Sequence, residues 1–77
     1  MDLQDFIIKF AEQFDDTDIN EFKANTEFRS LEEWSSLTAL SIIAMIDNEY
    51  GVIIKGDDIR ISNTIEDMFT IVKERKT

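Results

Sequence analysis

Two adjacent serines, Ser35 and Ser36, hold the hydroxyls with the clearest chemical context in the chain, with Glu32 and Glu33 immediately upstream. The sequence has no His and no Cys. Neither serine can therefore be activated as a hydrolytic nucleophile by a neighbouring imidazole. Two roles remain open for them. A serine is among the preferred helix N-caps. A serine at a helix start is also a favourable place for a covalent phosphodiester, because the free N–H groups and the helix dipole stabilise its charge. The adjacent carboxylates Glu32 and Glu33 do not form an acid–base pair, since neighbouring loop residues point apart. An independent enzyme is the class the residues support least.

A second constellation is Asp16, Asp18, Asn20 and Glu27, which fall at positions 1, 3, 5 and 12 of a helix-loop-helix calcium loop. Glu21 stands where that loop needs Gly for its sharp turn, and Lys23 replaces the usual aliphatic at position 8. A calcium-binding acidic loop is kept only as a minor alternative.

These residues must be positioned by helices. The 77 residues suffice for one domain, spanning 1–77, that hides about 60% of its unfolded surface. Leu3, Phe6, Ile7, Phe10 and Phe14 recur at helical spacing and predict a first helix over about Asp2 to Phe14. From Asp15 to Trp34 the period is lost. Ile19, Phe22, Phe28, Leu31 and Trp34 punctuate that long loop, as expected of a segment pinned onto a core.

A second helix is predicted from Ser35 or Ser36 to Tyr50, stopped by Gly51 in the left-handed C′ position. Its apolar residues surround the axis, with Leu40, Ile43, Ile46 and Tyr50 as one stripe and Leu37, Ile42 and Met45 spread around it. A helix apolar all round is buried or serves two interfaces. After the connector Val52 to Lys55, the run Gly56 to Ile61 holds a single helical turn. The last helix is predicted to start from an Asn63 N-cap, with Glu66 completing a capping box. Its stripe is Ile65, Met68, Phe69 and Val72. The expected fold is all-α.

The formal net charge is −9, and its placement is uneven. Residues 1–58 carry 14 acids and 4 bases, whereas residues 59–77 carry 3 acids and 4 bases. Such a chain repels nucleic acid and anionic membrane surfaces and suits basic protein partners. No stretch approaches the ~20 apolar residues of a membrane span, and the acidic start lacks the pattern of a signal peptide. A soluble, cytoplasmic monomer is expected.

The stretch Phe28-Arg29-Ser30-Leu31-Glu32-Glu33-Trp34-Ser35-Ser36-Leu37, running into the Leu40–Tyr50 helix, resembles an acyl carrier protein. The family's attachment motif, Asp-Ser-Leu at the start of its second helix, reads Ser35-Ser36-Leu37 here. Length, acidity, helix order and the long first loop extend the likeness over almost the whole chain. The resemblance implies a small four-helix bundle with a 4′-phosphopantetheine arm attached to Ser36, whose thiol carries acyl intermediates of fatty acid, polyketide or related biosynthesis as thioesters. It implies a phosphopantetheinyl transferase and acyl-loading and acyl-processing enzymes with basic docking patches as partners. It also implies docking through Leu37, Leu40 and Met45, through the acids Glu32, Glu33, Asp47, Glu49, Asp57 and Asp58, and an interior closed by Ile65, Phe69 and Val72. The departure is Ser35, where the family places Asp. It keeps open an alternative: a degenerate, unmodified carrier-like module that only binds other proteins.

Overall fold

In a computed structural model, residues 1–76 are described, and they form four α-helices with no strand among them. Helix α1 spans Leu3–Ala11, α2 Ser36–Tyr50, α3 Gly56–Ile61 and α4 Ile65–Lys76, with short 3-10 turns at Ile19–Glu21 and Phe28–Ser30. Helix α4 packs against each of the other three, and α1 also meets α2. The result is a small helical bundle with principal extents of 32 × 23 × 21 Å.

Helix α1 is started by Asp2, whose carboxylate accepts from the Gln4 N–H. It ends at Ala11 rather than at Phe14, because tight turns take over: Gln13 N–H donates to Phe10 O and Phe14 N–H to Ala11 O. Phe14 still reaches the core from beyond the helix end, so the apolar spacing reported burial correctly while overstating helix length.

The long connection between α1 and α2 is held at several points. Phe22 and Phe28 are buried, and Phe14, Phe22, Phe10, Phe28 and Trp34 form a continuous chain of ring contacts with centroids 4.9–6.4 Å apart. Such tilted and edge-on pairs stabilise beyond the area they bury. Ile19, by contrast, does not join the core and stays exposed. The carbonyls of Ala24 and Thr26 accept from the Glu66 and Ile65 N–H groups, so the connection supplies acceptors to the first turn of α4.

Helix α4 begins one residue later than its Asn63–Glu66 signature indicated. Thr64 is the capping residue: its Oγ1 accepts from the Asp67 N–H, while the Asp67 carboxylate accepts from the Asn63 and Thr64 N–H groups. Asp67 therefore occupies the position assigned to Glu66, and those bonds hold its carboxyl below the usual aspartate range. Ile65, Met68, Phe69 and Val72 are all buried, in keeping with the stripe read from the sequence.

The burial phase of α2 differs from expectation. Its buried residues are Ile42, Met45 and Ile46, with Ala39, Ile43 and Tyr50 packed at the edge of the core. Leu40 is 62% exposed. The apolar character of the helix left the phase undetermined, and contacts with α1 and α4 decide it. Gly51 ends the helix at φ 67°, the left-handed value, with its N–H on Asp47 O.

Candidate functional site

The approach to α2 is fixed before the serines are reached. Glu33 is bound at both oxygens: the Asp15 N–H donates to Oε2 at 2.6 Å, and the Asp16 N–H and the Thr17 hydroxyl donate to Oε1 at 3.0 and 2.6 Å. These bonds, that of Thr17 foremost, lower the Glu33 pKa from its ordinary value. Glu33 thus ties the start of the long connection to its end. The Trp34 ring then wedges edge-on against Phe28, with centroids 5.1 Å apart.

Ser35 and Ser36 follow in different roles. Ser35 has extended dihedrals, and its hydroxyl accepts from the Thr38 N–H at 3.3 Å, which makes it the N-cap. Thr38 Oγ1 in turn donates to Glu33 O at 3.1 Å. Ser36 is the first helical residue. It is exposed, and its hydroxyl has no hydrogen-bond partner among the described residues. The N–H groups of Ser36 and Leu37, two of the four that a helix leaves unsatisfied, likewise have no acceptor among the described residues.

Ser36 opens onto a groove of about 640 Å³ between α2, α3 and the segment that precedes α2. Trp34, Ala39, Leu40, Ile43 and Ile59 give it apolar walls, and Gly56 contributes bare backbone. Two arginines, Arg29 and Arg60, complete the lining. Arg29 Nη2 donates to Ser62 O and to Asn63 Oδ1, both at 3.1 Å. Arg60 pairs with Asp57 one turn earlier on α3.

The residues implied for docking divide between surface and interior. Leu37 is 76% exposed and lies with Leu40 on the accessible side of α2. Glu32, Asp47, Glu49 and Asp57 are exposed carboxylates, Glu49 lying 3.5 Å from the Lys9 ammonium. Met45 is corrected: at 7% exposure it belongs to the core and offers no docking surface. Asp58 is corrected as well. It is 8% exposed, accepts from the Lys55 N–H at 2.9 Å, and is gripped at both oxygens by Arg75, at 2.8 and 2.7 Å. That guanidinium, first of all, holds the Asp58 carboxyl below the usual aspartate range. Glu33, partly buried and occupied by its three donors, has a structural task rather than a free charge.

The calcium alternative finds no support in the geometry. Asp18 turns inward on its own loop to accept from the Asn20 N–H, starting the 3-10 turn at Ile19–Glu21. Among the described residues, no three or more Asp or Glu side chains converge as a metal site. Sequence reasoning missed Trp34, Ile59 and the two groove arginines as site residues. The signal that could have found them is compositional: Arg29 and Arg60 are two of only three arginines in the chain.

Comparison with family models, curated proteins and solved structures finds no match. The site is therefore read from its own geometry and chemistry. No helix among the described residues is long and apolar enough to cross a membrane.

Proposed function

We propose that this chain is an acyl-carrier-type protein, modified on Ser36 by 4′-phosphopantetheine and presenting acyl intermediates to partner enzymes in the cytoplasm. The observation that carries the reading is the Ser36 hydroxyl, exposed and without a partner at the first residue of α2, beside an apolar groove.

The residues present fit the group. A phosphodiester on Ser36 Oγ would lie near the free Ser36 and Leu37 N–H groups, where backbone donors and the helix dipole favour an anion. Ser35 carries the capping bond, so Ser36 is spared for modification and the helix keeps its start. When bound, the arm supplies the thiol that a chain without cysteine lacks. The apolar groove walls would exclude water from an acyl chain, at about 25 cal/mol per Å² covered.

Leu37 and Leu40 give partner enzymes an apolar contact on α2. The exposed acids Glu32, Asp47, Glu49 and Asp57 steer basic docking patches. A phosphopantetheinyl transferase is the first partner required. It would meet Ser35 in place of the aspartate of the family motif, with Glu32 as the nearest exposed upstream carboxylate.

Co-expression with phosphopantetheinyl transferases, followed by intact-mass measurement, tests the reading. A gain of one phosphopantetheinyl group that disappears in Ser36→Ala supports it. An unmodified mass with several transferases refutes it and favours the alternative, an unmodified protein-binding module using Leu37 and Leu40.

A further inference from the structure

We infer that the groove between α2 and α3 is a binding site for an amphipathic carboxylate, with the apolar body in the groove and the anionic head on Arg29 and Arg60. The inference does not rest on modification of Ser36. It rests on where the positive charge lies in a molecule that otherwise has little of it.

The whole chain contains only 8 basic side chains against 17 acids. Even so, both charged residues in the groove lining are arginines, and no carboxylate lines it. The apolar walls are Trp34, Ala39, Leu40, Ile43 and Ile59, with Ser35, Ser36 and Gly56 making up the rest of the lining. A wholly apolar ligand would find the walls but leave the guanidinium groups unused. A small hydrophilic anion would use the arginines and leave the walls wet. An apolar chain ending in a carboxylate satisfies both.

The two arginines are suited to the task in different ways. Arg29 is braced from behind: one nitrogen, Nη2, supplies both bonds to Ser62 O and Asn63 Oδ1. Its Nη1 and Nε donors have no acceptor among the described residues and are free for an anion. A guanidinium so braced loses little further freedom on binding, and its donor fork matches a carboxylate. Arg60 is 72% exposed and pairs only with the exposed Asp57. An ion pair of that kind stabilises weakly, so exchanging Asp57 for a ligand carboxylate costs little.

The only tryptophan of the chain, Trp34, lines the groove and reports its occupation directly. Decanoate and decanol, matched in chain length, are titrated below micelle formation against the unmodified protein and Ser36→Ala. Trp34 fluorescence and backbone amide shifts are recorded. The expected result is a saturable response to decanoate in both proteins, with shifts centred on Ser36 to Ile43 and Gly56 to Arg60, and at least about tenfold weaker binding of decanol.

Arg60→Gln should weaken decanoate about tenfold and leave decanol unchanged, and Arg60→Glu should weaken it further. Arg29→Gln should do the same, but it also removes the brace to Ser62, so Arg60 is the cleaner variant. Equal binding of acid and alcohol would overturn the inference, as would indifference of decanoate to both Arg60 changes or the lack of any saturable response. Because Ser36→Ala still contains the groove, failure of the carrier reading and failure of this inference give different results.

Discussion

Replacing Asp58 by Asn tests whether the join between α3 and α4 is held by a single carboxylate. The Asp58 side chain accepts from the Lys55 N–H at the start of α3 and from two Arg75 nitrogens on α4. Hydrogen bonds to a charged group contribute about 1.5–3 kcal/mol each, though three on one carboxylate do not add in full. Arg75 is 44% exposed and can be rehydrated when its partner is neutralised, which limits the loss. The expected cost of Asp58→Asn is about 2–3 kcal/mol. With unfolding entropy near 2.1 cal/mol/K per residue, a chain of this length should melt roughly 12–18 °C lower.

Thermal denaturation followed by circular dichroism near neutral pH measures the shift. The pH dependence supplies an internal control. Because the folded-state pKa of Asp58 is lowered, its contribution is present above the ordinary aspartate range and is lost as pH falls through the lowered value. The gap between the parent protein and Asp58→Asn should therefore close in acid. Arg75→Gln should lower the melting temperature in the same direction by less, and the double variant should be close to Asp58→Asn alone. A shift below about 4 °C, or strictly additive effects of the two changes, would refute the reasoning.

Ser35→Ala should cost about 1 kcal/mol of stability through loss of the N-cap, whereas Ser36→Ala should stay within about 0.5 kcal/mol; urea denaturation of both shows which serine caps the helix. Phe28→Ala, although in a connection rather than an α-helix, should cost about 3–5 kcal/mol in the same assay, because its fully buried ring contacts Phe10 and Trp34. The Glu33 side-chain carboxyl carbon, followed by NMR, should titrate with a midpoint below the ordinary glutamate range, and Thr17→Ala should move that midpoint back up. Stability owed to Glu33 is present above that range and lost as pH falls through the lowered pKa. Gly51→Ala should cost about 1–2 kcal/mol in thermal melts, all of it backbone strain, since an added Cβ there meets nothing within 4 Å.

Local signals in the sequence proved informative about where helices begin and end. Ser35, Gly51 and the Ile65–Val72 stripe lie where spacing and capping chemistry put them. The start of α4 was misplaced by one residue because Asn63–Glu66 and Thr64–Asp67 both satisfy the capping pattern. The bond from Ile65 N–H to Thr26 O, a contact across nearly forty residues, accompanies the second choice. The phase of α2 was illegible for a related reason: with apolar residues on every side, only its neighbours determine that Met45 turns in and Leu40 out.

Charges were the least legible. Asp57 and Asp58 are adjacent and chemically alike, yet one meets solvent and the other is enclosed by Lys55 and Arg75. Nothing local in the chain separates Glu32 from Glu33 either. The distinction arises because the Asp15–Thr17 backbone folds back onto Glu33 alone.

The carbonyls of Ala24 and Thr26 that cap the Ile65 and Glu66 N–H groups also impose an order on biosynthesis. Those two acceptors leave the ribosome some forty residues before their donors do. The segment that aims Ser36 cannot be fully secured until α4 has emerged and docked. A nascent chain halted at Gly51 would display both serines on an unfinished scaffold. A partner that requires the finished scaffold would accordingly act only once α4 has emerged and docked.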